Sequence, residues 1–237
     1  MNSPAPRRVL VTGAGRGLGL AFVRALLARG DQVLATCREP TANTALRDLL
    51  PAHPDRLHLL ALDVNDSARF SAFAADVGAH VEALDLLINN AGVLPTGERF
   101  GQLRAETLEA TLRTNTVAPL LLAQALAPAL ARGRRPCVAN LSTELGSIAS
   151  TRQFHSPSYA ISKAALNMAG VLLGAALAAD GVRVVNLHPG WVRTQMGGPN
   201  AALDPEHAVH DLLQTLDRLP ADCHGAFLDR HGQPLPW

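Results

Sequence analysis

Lysine is almost missing from this chain. Of the 21 lysine and arginine residues only Lys163 is a lysine. Aromatic residues are scarce too, at 4% of 237 residues, and Tyr159 is the single tyrosine. The three cysteines, Cys37, Cys137 and Cys223, are odd in number and far apart, without CxxC spacing. That excludes a disulfide framework and reads as reduced, mostly buried thiols of a cytoplasmic protein. A surplus of charge is also lacking: a net +1 offers nothing to attract nucleic acid or an acidic membrane surface. No apolar run follows Arg7-Arg8 as a targeting signal would require. The nine histidines are scattered, so no metal site is expected. The longest apolar stretch, near Ala164 to Ala179, is rich in Ala and Gly and reads as a buried helix rather than a membrane span.

What is present is alternation. Short apolar runs at 9–11, 33–37, 58–64, 84–89, 137–142, 182–187 and 226–228 read as seven strands. Helical patterns separate them, including 103–130, where Pro119 and Pro128 are expected to interrupt, and 158–179. Strands without strict polar alternation, divided by helices, predict a parallel sheet covered on both faces. The expectation is a single doubly wound α/β domain of the Rossmann type over residues 7–237, after a disordered tail at 1–6. In such folds ligands bind beyond the carboxyl ends of the strands.

The first strand runs into Thr12-Gly13-Ala14-Gly15-Arg16-Gly17-Leu18-Gly19, which opens a helix. Glycines let the backbone approach a pyrophosphate, and the helix N-terminus meets its charge. The spacing is GxxxGxG, through Gly13, Gly17 and Gly19, with Leu18 where the strict GxGxxG has its last glycine. After the second strand, where a carboxylate would hold a ribose hydroxyl, stand Cys37 and Arg38. Arg16 and Arg38 suit a 2′-phosphate through bidentate contacts, which points to NADP(H) rather than NAD(H). Two solvated surface arginines are the plainer reading, and Glu39 is the one dissenting charge.

Tyr159 and Lys163 stand at i and i+4, on one face of a helix. An ammonium beside a phenol is expected to lower the tyrosine pKa, making a proton donor and acceptor usable near neutral pH. A core tyrosine with a solvated lysine one turn on would show the same spacing.

With Asn89-Asn90-Ala91-Gly92 beside these motifs, the chain resembles the short-chain dehydrogenase/reductase family over nearly its whole length, and within it the carbonyl reductases of the C-factor and sniffer type. The resemblance implies that Asp63 and Val64 meet the adenine. It places Asn89, Ala91 and Gly92, and Pro189, Gly190, Val192 and Thr194 of the Pro-Gly-Trp-Val-Arg-Thr segment, around the cofactor with Tyr159 and Lys163. It makes Tyr159 the general acid, Lys163 its tuning charge and Asn115 the holder of a relay water. The family's serine aligns, on Gly146, with Thr143, and Ser142 just before it is the fallback. The reaction implied is reversible hydride transfer from NADPH to apolar or aromatic aldehydes and ketones. Leu94, Pro95, Leu145, Phe154, Trp191 and Met196 are candidate lining residues. No residue other than Arg193 or Arg152 offers an obvious partner for a charged substrate. Arg152, Phe154 and His155, in the loop from Gly146 to Tyr159, either shape the substrate entrance or belong to a plain surface loop. A sensor or signalling protein that merely binds the cofactor is the alternative. A homodimer or homotetramer through the Ala- and Leu-rich helices stays open beside a purely core role for them.

Overall fold

The structure is a computed structural model and describes residues 6–237. The expected tail, save Pro6, lies outside the described residues. Pro6 itself accepts a hydrogen bond on its carbonyl from the Arg134 guanidinium. Seven strands are found: β1 Arg8–Val11, β2 Gln32–Cys37, β3 Leu57–Ala61, β4 Leu86–Asn89, β5 Cys137–Leu141, β6 Arg183–His188 and β7 His224–Asp229. The helices are α1 Gly17–Ala28, α2 Thr44–Arg47, α3 Phe70–Gly78, α4 Ala105–Leu112, α5 Ala118–Ala131, α6 Pro157–Leu177 and α7 Pro205–Arg218. Every strand pairing is parallel, in the order β3-β2-β1-β4-β5-β6-β7. This is the doubly wound Rossmann sheet, and its order reverses between β1 and β4.

The central strands are mostly apolar on both sides because both faces are covered. Val9 and Val11 face a core built with α1 and α7, where Phe22, Leu26 and Leu212 are fully buried. Leu10 faces the opposite core, with Phe70, Leu122 and Leu126 from α3 and α5. A fully buried Leu or Phe of this kind contributes about 1.5–3 kcal/mol relative to exposure. Two helical stretches, Ala105–Ala131 and Pro157–Asp180, are long and apolar enough to cross a membrane; here 44% and 50% of their apolar windows are buried within the fold.

Two expectations need correction. Pro119 and Pro128 do not end the helix: α5 runs through both. Pro119 falls where the helix has just widened, and Pro128 lies with Gln124 on the exposed face of α5. The irregularity falls earlier, in a wide π-helical turn over Arg113–Val117. The third strand stops at Ala61 instead of Val64, because Asp63 Oδ1 accepts the Asn65 N–H and turns the chain.

Glycine lets α6 lie close to the sheet. A Cβ on Gly170 would fall 2.2 Å from Asn186 Oδ1, and one on Gly174 would fall 2.5 Å from the backbone of His224. Any larger residue at either place would lift α6, and Tyr159 and Lys163 with it, away from β6 and β7.

Candidate active site

The glycine turn sits at the switch point. Gly13 and Gly17 have φ of +62° and +53°, a region that glycine enters without strain. A Cβ on Gly13 would come within 2.9 Å of Ala91 Cα, and one on Gly19 within 2.2 Å of the Gly13 carbonyl oxygen. The turn therefore packs directly on the segment after β4. Thr12 Oγ1 accepts the N–H groups of Asn90 and Ala91, each at 3.0 Å, and Asn90 Nδ2 donates to the Thr12 and Gly13 carbonyls at 2.8 and 3.1 Å. Asn90 was not singled out by sequence reasoning, although it lies inside the Asn-Asn-Ala-Gly motif. Leu18 is half-buried at the start of α1, whose first turn holds no acidic residue and whose N-terminus has no side-chain cap. That leaves a cradle of backbone donors suited to a phosphate.

Arg16 and Arg38 are both exposed and make no side-chain hydrogen bond or ion pair among the described residues. Asn43 Nδ2 donates to the Gly15 carbonyl at 3.2 Å, bracing the turn from beyond β2. Asp63 is exposed, while Val64 joins Thr12, Asn89, Ala91, Thr114 and Ala118 around a narrow crevice at the strand ends. Two unpaired guanidiniums, a glycine cradle and an uncapped helix end together fit a phosphorylated dinucleotide.

Lys163 and Tyr159 stand beyond β5. Lys163 is 5% exposed and donates to the Leu141 carbonyl at 2.6 Å, at the carboxyl end of that strand. Its Nζ lies 5.7 Å from the centre of the Tyr159 ring, and a Cβ on Gly92 would be 3.8 Å from it. The expected electrostatic lowering of the tyrosine is not what this arrangement produces. Burial pushes Tyr159 up to about 12 and Lys163 down to about 8. Lys163 points its hydrogen bond at a backbone carbonyl, and desolvation governs both groups. The phenol therefore stays protonated at neutral pH.

The two candidate hydroxyls differ in occupation. Ser142 is 3% exposed and donates to Asn167 Oδ1 at 2.7 Å. Thr143 Oγ1 only accepts the Leu145 N–H, at 3.3 Å, as it caps the short turn Glu144–Gly146. Ser142 also sits within a buried asparagine ladder. Asn89, Asn140 and Asn186 are register partners on β4, β5 and β6. Asn89 Nδ2 donates to Asn140 Oδ1 at 2.9 Å, and Asn140 Nδ2 to Asn186 Oδ1 at 3.0 Å. Asn186 Nδ2 reaches the Asn167 carbonyl at 3.3 Å. The Asn89 side chain is thus engaged by the sheet. The ladder residues other than Asn89 carry no motif in the sequence; only strand register brings them together.

Asn115 is fully buried in the wide turn. Its side chain exchanges two hydrogen bonds of 2.9 Å with the backbone of Val93 and donates a third, also 2.9 Å, to Ser162 Oγ. Pro119 has no N–H, so the Asn115 carbonyl lacks its ordinary i+4 donor. The asparagine side chain ties Lys163's helix neighbour to the segment after Gly92.

The loop after β6 closes the other side. Gly190 has φ of +83°, and Thr194 lies over the glycine turn, its Cγ2 3.3 Å from where a Gly17 Cβ would stand. Pro189 and Gly190 lead from β6 into this loop, and Val192 pairs with Leu203 as an isolated bridge. His188, at the end of β6, has a buried Nδ1 without a protein partner, and burial lowers its pKa. Trp191 is exposed and donates to the Gly197 carbonyl at 2.8 Å. Arg193 pairs with Asp204 at 3.2 Å, and Arg152 is turned to the carbonyls of Ala149 and Thr151, so both are engaged within the chain. Leu145, Phe154, Trp191 and Met196 are all exposed apolar side chains, and Leu94 and Pro95 are half-buried.

Comparison with known proteins gives a consistent picture. The pattern of a family described as short chain dehydrogenase matches residues 7–203. C-signal of Myxococcus xanthus is 37% identical over 154 residues, which is 65% of this chain and 93% of that protein. The solved structure of the carbonyl reductase Sniffer of D. melanogaster matches with a TM-score of 0.93 at 35% identity, over 98% of this chain and 100% of that one. An NADPH-bound carbonyl reductase from chicken fatty liver matches with a TM-score of 0.92 at 37% identity, over 98% and 99% of the two chains.

Proposed function

The chain belongs to the short-chain dehydrogenase family, and from that premise we propose that it is an NADPH-dependent carbonyl reductase acting on apolar or aromatic aldehydes and ketones. The observation that carries this reading is the meeting, beyond β5, of a protonated phenol, a buried ammonium and a weakly engaged threonine hydroxyl, beside the glycine turn. Gly13, Gly17 and Gly19 with the start of α1 would hold the pyrophosphate, and Arg16 and Arg38 the 2′-phosphate. When bound, NADPH supplies the hydride.

Tyr159 gives its proton to the oxygen of the forming alkoxide. Its raised pKa keeps that proton available throughout the neutral range. Thr143 donates a hydrogen bond to the same oxygen, where negative charge develops. Ser142 is the poorer candidate for that task, because its hydroxyl already donates to Asn167. Lys163, charged below about pH 8, stabilises the phenolate that remains after transfer. Asn115 holds the segment after Gly92 against α6 and offers a carbonyl to a relay water. The three free thiols suit a reducing, cytoplasmic setting. A homodimer or homotetramer would cover the apolar outer face of α6 at Ile161, Met168 and Leu172.

The test is NADPH oxidation with a panel of carbonyl compounds. Tyr159→Phe should lose about 10²-fold or more in turnover while keeping NADPH binding. The likeness to C-signal supports a second reading, a cofactor-binding signalling protein with minor turnover. Tight NADPH binding by the unaltered protein, with no carbonyl reduced, would select that reading.

A further inference from the structure

Six phenylalanines occur in the chain. Phe22, Phe70, Phe73 and Phe227 are buried, as the hydrophobic effect requires of rings this large. Phe100 and Phe154 are the exceptions, at 84% and 53% exposed. These two exposed rings touch each other: their centres are 5.5 Å apart and their planes cross at 89°, the favoured edge-to-face arrangement. They come from different segments. Phe100 lies on the stretch that follows Gly92, and Phe154 on the stretch between Thr143 and Tyr159.

Both stretches are fastened beside the phenol. Glu98 accepts the Ser158 N–H at 3.2 Å and the Ser158 hydroxyl on its other oxygen. Ser158 is the residue before Tyr159, and Ser156, at the start of α6, makes no cap of its own. A carboxylate from the far wall therefore caps the tyrosine helix. Gly97 and Gly101, with φ of +78° and +82°, flank the segment that carries Glu98 and Phe100. Without the Glu98 bond that segment would have little to hold Phe100 against Phe154.

We infer that Phe100 and Phe154 form an aromatic jaw at the mouth of the site, which selects carbonyl compounds carrying a flat aryl group. An edge-to-face pair in water keeps ring surface open on which a planar group stacks, and stacking buries the apolar area that both rings now expose. The inference rests on the carbonyl-reductase reading and narrows its substrate class. The jaw governs binding of the substrate's remote portion rather than the hydride step.

The experiment compares 4-nitrobenzaldehyde with butanal, both with NADPH, in the unaltered enzyme and in Phe100→Ala, Phe154→Ala and Phe100→Trp. Both rings are exposed, so their truncation leaves the fold intact. The jaw requires the unaltered enzyme to favour the aryl aldehyde. Each alanine variant should raise KM for it by about tenfold with little change in kcat, and alter kcat/KM for butanal less than about twofold. Phe100→Trp should restore the aryl preference. Equal losses on both aldehydes, or a preference for butanal in the unaltered enzyme, overturn the jaw alone. Failure to reduce either aldehyde overturns the jaw together with the function it rests on.

Discussion

Ser142 donates its hydroxyl to Asn167 Oδ1 at 2.7 Å, deep beneath the site. That single bond separates two adjacent hydroxyls. Thr143→Ala should lower kcat by about 10²-fold, the usual cost of losing a donor to a developing oxyanion, and Thr143→Ser should largely preserve it. Ser142→Ala should act instead on stability, by about 1–3 kcal/mol, because it leaves a buried acceptor of Asn167 unsatisfied. Steady-state kinetics beside urea denaturation of the variants separates the two effects.

The single lysine allows a direct titration. With 15N-lysine, the only side-chain amine signal is that of Lys163. Its midpoint should fall near 8, well below the ordinary 10.5, because burial disfavours the ammonium. Below that pH the charge is kept and above it is lost. The kcat/KM for carbonyl reduction should therefore decline as pH rises through about 8, whereas Tyr159, near 12, stays protonated over the same window. A midpoint near 10.5 would show that Lys163 is solvated in the free enzyme.

Arg16 and Arg38 bear on cofactor choice. Arg38→Asp places a carboxylate beside a 2′-phosphate and should lower kcat/KM with NADPH by about 10- to 100-fold, with NADH gaining relative to it. Initial rates with both cofactors check this. An unchanged NADPH preference in Arg38→Asp and in the Arg16→Ala/Arg38→Ala pair would remove both arginines from the phosphate site.

The packing of α6 on the asparagine ladder gives a structural test. Gly170→Ala would drive a methyl group into Asn186, whose amide is already held by Asn140. Overpacking of this kind costs about 1–3 kcal/mol. Because α6 carries both Tyr159 and Lys163, turnover should fall along with the melting temperature. Gly181→Ala, at a glycine with nothing within 4 Å of its missing Cβ but φ of +69°, should cost stability through backbone strain alone and leave turnover unchanged.

Much of the fold was legible because its signals are local. Apolar runs separated by helical periodicity marked all seven strands, and only their ends moved. The glycine turn was readable because positive φ demands glycine at Gly13 and Gly17 and close approach of backbone demands it at Gly13 and Gly19. Pro119 and Pro128 misled for the opposite reason. Their cost depends on whether the freed carbonyls meet water or a widened turn, and the residues alone do not state that.

What the sequence determined by itself was the set of groups and their spacing along single elements. Tyr159 and Lys163 share a helix face, so four residues of helix suffice to pair them. Tertiary structure decided everything that depends on elements far apart in the chain. It gave Ser142 to Asn167, set Asn89, Asn140 and Asn186 in one buried row, capped the tyrosine helix with Glu98, and placed Phe100 on Phe154. It also reversed the sign expected for the tyrosine. The pKa of this phenol is raised by the solvent it has lost, and that loss is a property of packing.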